Sequence, residues 1–277
     1  VLLQAGIKFD GALVLQIFGD GPVKLAVAEV QPDLRLRATA SLVGAAAPGA
    51  GLAQLVNLHG KGRCAITLDP VNRQPGQQPY QGVVPLLDEG GAPIASLAGV
   101  IEHYMRQSEQ LDTTLVLAAD EQVAAGLLIQ RLPVQGQGNL SGSSVAREPA
   151  GEGEAGVPPE DDYRRIAILT RSLQRDELLG LDADTVLRRL FWEEKLLRFP
   201  PQAGAAGPRF ACSCSRARMA AMLQGLGRDE AEAILREQGQ IEVGCDFCGQ
   251  QERFDAVDVG RLFTPAAQQS PQPGSVQ

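Results

Sequence analysis

Two closely spaced cysteine pairs near the C-terminus constrain the fold of this chain more than any other feature. The first pair is Cys212-x-Cys214 and the second is Cys245-x-x-Cys248. Two such pairs, about thirty residues apart, can converge on one tetrahedral four-thiolate site, the arrangement that Zn²⁺ takes in closed structural sites. The sequence therefore predicts that all four thiolates bind one Zn²⁺ in a small C-terminal domain.

Composition and charge exclude several classes of function. The formal net charge is -8, so the surface offers no basic footprint for nucleic acid or for anionic membranes. No apolar run approaches the length of roughly 20 residues that a membrane span needs. The chain begins at Val1 without an initiator Met, a basic start or a long apolar stretch. The absence of a signal peptide predicts a cytoplasmic protein, in which clustered cysteines indicate metal binding or redox activity.

The N-terminal half predicts an α+β domain, residues 1–132, in which strands dominate. Gly19-Asp20-Gly21-Pro22 is a strong turn signal between two apolar runs. Pro93 is expected to open a helix that extends to about Gln107. The strand at 34–38 alternates in polarity and is expected to be half-buried. We predict one mainly antiparallel sheet from strands at 13–18, 23–27, 34–38, 64–68, 81–86, 115–118 and 126–130.

A change in composition separates this domain from the rest of the chain. Residues 133–159 are rich in Gly, Gln, Ser, Pro and Glu and predict a flexible loop. Residues 160–211 predict a helical linker region, with one helix over 160–179. A second helix is expected to begin at a cap provided by Asp182 or Asp184. Trp192, which follows this helix, is interpreted as a packing anchor.

The C-terminal domain, 212–277, is predicted to contain two short helices, at 215–226 and 228–238. Gly239 is expected to end the second helix, and a strand at 240–243 then leads into the second cysteine pair. A thiol pair at a hairpin tip followed by Gly249 is typical of a zinc knuckle, because glycine accepts a positive φ. Residues 212–264 contain six Arg, four Asp and five Glu, so this domain is not expected to bind nucleic acid.

The chemistry of the four thiols leaves a structural zinc, paired disulfides and a thiol switch as alternatives. In an extended segment, residues two positions apart have Cα atoms about 7 Å apart, at or beyond the limit for a disulfide. Joining Cys212 to Cys214 would therefore bend the backbone away from a metal-binding geometry. Oxidation, metal loss and local unfolding are then expected to be linked.

The chain resembles the 33 kDa chaperonin family of redox-regulated heat-shock chaperones. In the cysteine-containing region the resemblance rests on Phe210-Ala211-Cys212-Ser213-Cys214-Ser215-Arg216-Ala217-Arg218 and Ile241-Glu242-Val243-Gly244-Cys245-Asp246-Phe247-Cys248-Gly249. In the first half it rests on Lys8-Phe9-Asp10-Gly11, Gly19-Asp20-Gly21-Pro22, Tyr80-Gln81-Gly82-Val83-Val84 and Ser108-Glu109-Gln110. The family has a further stretch before Lys8, so the first domain is expected to be N-terminally truncated. The glycine- and serine-rich segment before Glu160 is also longer than usual in the family.

The resemblance implies an ATP-independent holdase, not an enzyme, that is inactive while reduced and bound to one Zn²⁺. Oxidation would form Cys212–Cys214 and Cys245–Cys248 disulfides, expel Zn²⁺ and unfold the cysteine domain with the helical segment before it. Apolar surface would then capture unfolding client proteins, the first domain being the substrate-binding one. The active form is expected to be a homodimer.

Two other functions remain open on the residues alone. One is a constitutive zinc-stabilised protein-interaction module, and the other is a thiol-disulfide oxidoreductase. Of the remaining residues with chemical potential, Cys64 is interpreted as a buried small hydrophobe and His59 as an exposed turn residue. His103 is expected to be a surface or half-buried helix residue and not a ligand.

Overall fold

The structure is a computed structural model, and it describes residues 1–7, 9–72, 76–131 and 159–264. The chain divides into two compact units, Val1–Arg209 and a second unit that begins at Phe210. The loop predicted at 133–159 falls outside the described residues except for Pro159, which is the first residue of a helix. No helix in the described ranges is long and apolar enough to cross a membrane.

Both units combine helices with antiparallel strands, which confirms the predicted α+β class. The strands are β1 Gly11–Phe18, β2 Val23–Val30, β3 Arg35–Leu42, β4 Arg63–Pro70, β5 Tyr80–Pro85, β6 Thr113–Ala119, β7 Ala124–Gln130, β8 Arg209–Phe210, β9 Ile241–Gly244 and β10 Gln251–Phe254. The α-helices are α1 Leu2–Gly6, α2 Leu52–Val56, α3 Leu97–Glu109, α4 Pro159–Arg171, α5 Arg175–Gly180, α6 Ala183–Leu190, α7 Arg216–Leu226, α8 Arg228–Gln238 and α9 Ala256–Leu262.

An antiparallel sheet in the order β5-β4-β1-β2-β3 forms the body of the first unit. The central strand β1 pairs with β2 on one side and with β4 on the other, so that Leu13 lies opposite both Val30 and Leu68. The turn predicted at 19–22 joins β1 to β2, as expected. At the far edge, the backbone amide of Arg209 donates to the Leu34 carbonyl oxygen at 3.3 Å.

Helix α3 covers one face of this sheet and closes the main hydrophobic core. Val100 and Tyr104 of α3 pack there with Cys64 and Ile66 of β4 and with Leu86, which follows β5. Cys64 is fully buried, which confirms its interpretation as a small core hydrophobe. Burial raises the pKa of the Cys64 thiol to about 12, so the thiol stays protonated at neutral pH.

The predicted start of α3 is wrong. The helix begins at Leu97 instead of Pro93, because Ser96 provides the N-cap and its Oγ accepts from the Gly99 amide at 3.1 Å. Pro93 forms a β-bridge with Leu87, and the Ile94 amide donates to the Leu86 carbonyl oxygen. These contacts hold the residues before Ser96 in an extended conformation.

Strands β6 and β7 do not join the main sheet, which corrects the prediction of one continuous sheet. They form a separate two-stranded hairpin with Thr113 opposite Gln130. The hairpin faces a second apolar cluster, made by Leu173, Leu178 and Val186 of the helical segment that follows. Partly buried side chains from the hairpin complete this cluster: Val116, Ala118, Ala125 and Leu127. The hairpin therefore joins the helical segment to the rest of the first unit.

The helical segment contains three helices, and the single helix predicted over 160–179 is wrong. Helix α4 ends at Arg171, and α5 begins after Gln174, whose backbone amide donates to Glu177 Oε2 at 3.1 Å. This capping interaction starts a new helix where the apolar periodicity predicted a continuous one. Asp182, one of the two predicted caps, accepts from the Thr185 amide at 3.0 Å and begins α6.

Of two burial predictions in the first unit, one is confirmed and one is wrong. Residues 34–38 are half-buried as predicted, with Leu34 buried and Leu36 partly buried, whereas residues 39–42 of β3 are largely exposed because the main core lies under β1, β4 and β5. Trp192 is 74% exposed and therefore does not act as a packing anchor. It begins a run of exposed apolar side chains that also includes Leu196, Leu197 and Phe199.

The second unit has a small core of its own. Helices α7, α8 and α9 pack against the hairpin β9–β10, and Leu223, Ala231, Phe254 and Val259 are almost fully buried between them. Ser215 caps α7, so this helix begins one residue after the predicted start. Gly239 ends α8 in a left-handed conformation, as predicted. Cys214 and Cys245 lie against this core, so the thiol cluster and the apolar cluster are continuous.

Candidate metal centre

The fold of the second unit brings the four clustered cysteines together. Their sulfur atoms all lie within 4.8 Å of one another. Two close contacts run between the pairs, with Cys212 Sγ 3.5 Å from Cys245 Sγ and Cys214 Sγ 3.3 Å from Cys248 Sγ. Cys248 is exposed and the other three are partly buried, so the cluster lies at the surface of the unit.

The second pair is held at the tip of the β9–β10 hairpin. Gly244 of β9 lies opposite Gln251 of β10, which leaves residues 245–250 to form the turn. The Cys245 amide donates to the Gln250 carbonyl oxygen at 2.9 Å, and the Gly249 amide donates to the Cys245 carbonyl oxygen at 2.8 Å. Gly249 has φ +72, so the predicted need for a glycine after Cys248 is confirmed.

The first pair lies in the short segment between β8 and α7. Arg218, in the first turn of α7, holds this segment by donating from Nη1 to the Ser213 carbonyl oxygen at 2.9 Å and to Ser213 Oγ at 2.6 Å. Ser213 is the residue between the two cysteines, so Arg218 fixes the loop that carries both thiols. The Ser215 cap of α7 orders the residue that follows Cys214.

Arg216 connects α7 to the hairpin and to α9. Its guanidinium lies 4.4 Å from the ring centroid of Phe254. It also donates to Glu252 at 3.0 Å, to the Arg253 carbonyl oxygen at 2.8 Å and to Asp258 at 2.7 Å. Because α7 begins immediately after the first cysteine pair, Arg216 holds that pair near the hairpin that carries the second.

The sulfur separations fit a single metal ion. A tetrahedral ion with bonds of about 2.3 Å to each sulfur separates the sulfurs by about 3.8 Å. The two short contacts lie just below this value, and the 4.8 Å limit lies above it. Thiolate donors favour soft or borderline cations. The cluster can therefore hold one metal ion after small shifts of the side chains.

Protonation of Cys214 competes with metal binding in this cluster. Hydrogen bonding to Cys248, and next to Cys212, raises the pKa of Cys214 to about 12. These hydrogen bonds favour the protonated thiol of Cys214 over its thiolate. A divalent ion would reverse this effect, because it stabilises the thiolate form of each ligand.

Sequence reasoning identified the four thiols but missed the two arginines that position them. Arg216 and Arg218 belong to the stretch that resembles the family, but neither spacing nor composition indicated their contacts. The remaining candidates lie elsewhere: His59 is an exposed turn residue and His103 is half-buried on α3, as predicted. The backbone amides of His59 and Lys61 donate to Asp20 Oδ2, which supports a structural role for this turn.

Comparisons with known proteins agree on one family. The family described as Hsp33 protein matches residues 1–255. The 33 kDa chaperonin of Chromobacterium violaceum is 41% identical over 263 residues, covering 95% of this chain and 77% of the relative. That of Methylobacillus flagellatus is 40% identical over 264 residues, covering 95% and 78%.

A solved structure shows the same fold. The crystal structure of the 33 kDa chaperonin of Thermotoga maritima matches with a TM-score of 0.67 at 18% identity, covering 94% of this chain and 80% of that one. The sequence matches and the fold point to the same group of proteins. On these grounds, the chain belongs to the Hsp33 family.

Proposed function

We propose that this protein is a redox-regulated, ATP-independent holdase chaperone whose reduced form binds one Zn²⁺ through Cys212, Cys214, Cys245 and Cys248. The observation that carries the proposal is the convergence of these thiols within 4.8 Å in a chain of the Hsp33 family. The matched relatives are named chaperonins, which supports a chaperone role and gives no indication of an enzyme.

In the reduced form, the four thiolates would join two segments that are otherwise connected by a small apolar core. Zn²⁺, when bound, supplies the positive charge that keeps the thiols ionised. Arg218 and the hairpin amides orient the two pairs. Because metal binding and folding of such a small unit are linked, the metal-bound form is the stable, inactive one.

Oxidation would replace the metal site by two disulfides, Cys212–Cys214 and Cys245–Cys248, as the family resemblance implies. Each disulfide forms from two thiol groups, which give up two electrons and two protons. One hydrogen peroxide molecule accepts these and becomes two water molecules. All four sulfurs share one cluster, with contacts of 3.5 Å and 3.3 Å between the pairs, so disulfides within the pairs would break up the shared metal site. Loss of the metal and local unfolding would therefore accompany oxidation.

The contacts of the helical segment with the β6–β7 hairpin indicate where client-binding surface would arise on activation. Helices α5 and α6 cover the apolar face of the β6–β7 hairpin, including Val116 and Leu127. If these helices detach on activation, that face becomes exposed in the same unit as the exposed run that begins at Trp192. Exposed apolar surface of this kind binds unfolded chains without nucleotide hydrolysis. A homodimeric active form and a cytoplasmic location complete the proposal.

One observation favours the alternative of a constitutive zinc-stabilised interaction module. The second unit has its own core around Leu223 and Phe254, as a purely structural zinc domain would. The thiol-disulfide oxidoreductase receives less support, because the Cys245-x-x-Cys248 motif lies at a hairpin tip instead of a helix N-terminus. The redox response of the zinc-loaded protein distinguishes these functions.

The test treats the reduced, zinc-loaded protein with hydrogen peroxide at raised temperature. We expect zinc release, loss of four thiols, dimer formation and suppression of light scattering from a denaturing client. Retention of zinc while exposed thiols oxidise would favour the structural module and contradict the switch. Zinc release with unchanged client aggregation would contradict the holdase, and turnover of a disulfide substrate would support the oxidoreductase.

A matched pair of variants tests the ligand assignment. Cys245→Ala is expected to abolish stoichiometric zinc binding, because three thiolates with no fourth ligand lose most of the affinity. Cys64→Ala removes a thiol that is fully buried in the other unit and is expected to leave zinc content unchanged. Full zinc content in Cys245→Ala, measured by elemental analysis, would refute the four-thiolate site.

A further inference from the structure

Four arginines line an open cavity in the first unit, although the chain has a formal net charge of -8. The cavity has a volume of about 500 Å³, within the range of about 300–1,000 Å³ typical of small-molecule sites. Its walls come from the last turns of α3, from the hairpin β6–β7 with the residues that flank it, and from α4. The arginines are Arg106, Arg131, Arg164 and Arg171.

The acidic groups near these arginines do not balance their charge. Asp112 lies 3.8 Å from Arg131, and Glu102 lies 3.8 Å from Arg171, both close to the upper limit for an ion pair. Glu102 also accepts a hydrogen bond from the Leu115 amide at 2.7 Å. Within the ranges that the structure describes, Arg106 and Arg164 have no carboxylate partner. The cavity therefore has an excess of positive charge.

Hydroxyl groups at the wall of the cavity add hydrogen-bond donors. Tyr163 Oη lies 3.1 Å from Thr114 Oγ1. When Thr114 donates in that contact, the proton of the partly exposed Tyr163 remains for a ligand. Thr114 is fully buried, and Thr113 Oγ1 accepts from Gln130 Nε2 at 3.1 Å. Hydrogen bonds therefore hold the hairpin side of the wall, whereas the arginine side chains can adjust to a ligand.

We propose that this cavity binds a small polyphosphate anion, of the size of pyrophosphate or triphosphate. A guanidinium donates two parallel N–H bonds to phosphate oxygens, and four guanidiniums around one cavity match a ligand with several negative charges. A single carboxylate would leave most of this charge uncompensated. Inorganic triphosphate and the phosphate chain of a nucleotide share this chemistry.

Bound polyphosphate would link two parts of the first unit. Arg164 and Arg171 lie on α4, whereas Arg106 lies on α3 and Arg131 directly follows β7. A ligand that contacts both sets stabilises the packed position of α4, because it binds only when the two walls are together. The effect on activation rests on the proposed holdase function: the bound ligand would raise the oxidant concentration that activation needs.

The binding test uses the reduced full chain and sodium triphosphate at low ionic strength without free divalent cations. We expect saturable one-to-one binding by calorimetry, weakened by added salt because screening reduces the attraction. The double variant Arg106→Gln with Arg164→Gln is expected to bind at least about tenfold more weakly. These two exposed side chains have no ion pair in the described residues, so the variant is expected to melt at the wild-type temperature.

Arg188→Gln is the matched control, since Arg188 is exposed on α6 outside the cavity. It is expected to bind triphosphate as the wild type does. No saturable binding, wild-type affinity in the double variant, or equal weakening in Arg188→Gln would overturn the proposal. ATP binding as tight as that of triphosphate would support recognition of the phosphate chain. Tighter binding of oligoglutamate than of triphosphate would overturn the phosphate assignment.

The effect on α4 has a readout that does not depend on chaperone activity. Amide hydrogen exchange of residues 162–171 is expected to slow when triphosphate saturates the wild type and to stay unchanged in the double variant. Triphosphate binding without this protection would overturn the proposed bridge between α4 and the hairpin. If triphosphate protects α4 but the protein shows no holdase activity, the anion site is supported and the proposed function is contradicted.

Discussion

Single residues around the thiols act through backbone conformation as much as through chemistry. Gly249 follows Cys248 with φ +72, and a Cβ added there would meet no atom within 4 Å. Gly244, in the same hairpin, also has space for a Cβ but has no positive φ. Substituting each glycine by alanine therefore compares the free-energy cost of a left-handed backbone with that of an added side chain alone.

Replacing Gly249 by Ala is expected to lower the free energy of unfolding of the second unit by about 1 kcal/mol, because an L-residue resists this conformation. Gly244→Ala is expected to change it by less than about half of that amount. Chemical denaturation of the zinc-loaded protein, followed by a probe in the second unit, measures both. Equal effects of the two substitutions would contradict the role assigned to the left-handed turn.

Arg218 is a positioning residue for the first cysteine pair. Arg218→Gln removes the contacts to Ser213, and we expect zinc affinity to fall by about tenfold, as for other groups that orient metal ligands. Arg228→Gln makes the same charge change in the second unit but breaks only an ion pair with Glu232 on the surface of α8. Competition with a zinc chelator should distinguish the variants. Unchanged affinity in Arg218→Gln would exclude this positioning role.

The buried thiol of Cys64 is expected to make the free energy of unfolding of the first unit depend on pH. Burial raises its pKa from 9.0 to about 12 in the folded state, so the unfolded chain ionises first as the pH rises. The contribution of the protonated Cys64 thiol to the free energy of unfolding is complete below pH 9. It is lost between pH 9 and 12, at about 1.4 kcal/mol per pH unit. Cys64→Ala should show a shallower loss of unfolding free energy from pH 8 to 10.5. Parallel curves for the two proteins would contradict this assignment.

At the scale of elements, the hairpin β6–β7 and helices α5 and α6 depend on each other. The hairpin has no other strand beside it among the described residues, and the helices are short, so neither is stable alone. Leu173, Leu178 and Val186 provide the buried contacts between them. Loss of the contacts in this small apolar cluster would release α5 and α6 from the hairpin.

Leu178→Ala is expected to destabilise the packing of α5 by about 2 kcal/mol, because it removes buried side-chain volume. Hydrogen exchange in residues 175–190 should then accelerate, and the proposed holdase should activate at a lower peroxide concentration. Leu197→Ala is the control, since Leu197 is 83% exposed. If activation shifts equally in both variants, the cluster does not control detachment of the helices.

At the scale of the whole molecule, the two units have separate cores and are expected to unfold separately. The first unit has its core between the sheet and α3, whereas the second combines a small core with the thiol cluster. A unit of about 70 residues has limited apolar burial, so a metal ion held by the four thiols would supply a large share of its stability.

Zinc removal by a chelator under reducing conditions is therefore expected to abolish or strongly lower one thermal transition and to preserve the other. Differential scanning calorimetry measures both transitions, and amide exchange assigns them to residues 1–209 or to the second unit. Denaturant titration of the metal-free protein at neutral pH provides a second readout. A single transition that shifts as a whole on zinc removal would contradict this prediction.

The accuracy of sequence-based prediction varied with the range of the interactions involved. The turn at 19–22 and the stop at Gly239 were predicted correctly, because a few neighbouring residues determine each of them. The start of α3 and the single helix over 160–179 were wrong, because local caps at Ser96 and Gln174 outweighed the apolar periodicity. The interpretation of Trp192 as a packing anchor is wrong, because burial depends on what packs nearby and this side chain is 74% exposed.

The sequence by itself determined the four thiols, their two spacings, the glycine that follows them and the family to which the chain belongs. These features follow from residue identity and short-range backbone geometry. The tertiary structure decided which sulfurs meet, which arginines hold the cysteine loop, and that four distant arginines in an acidic chain share one cavity. Such contacts join residues far apart in the chain, and packing of the helices and strands, not local propensity, brings them together.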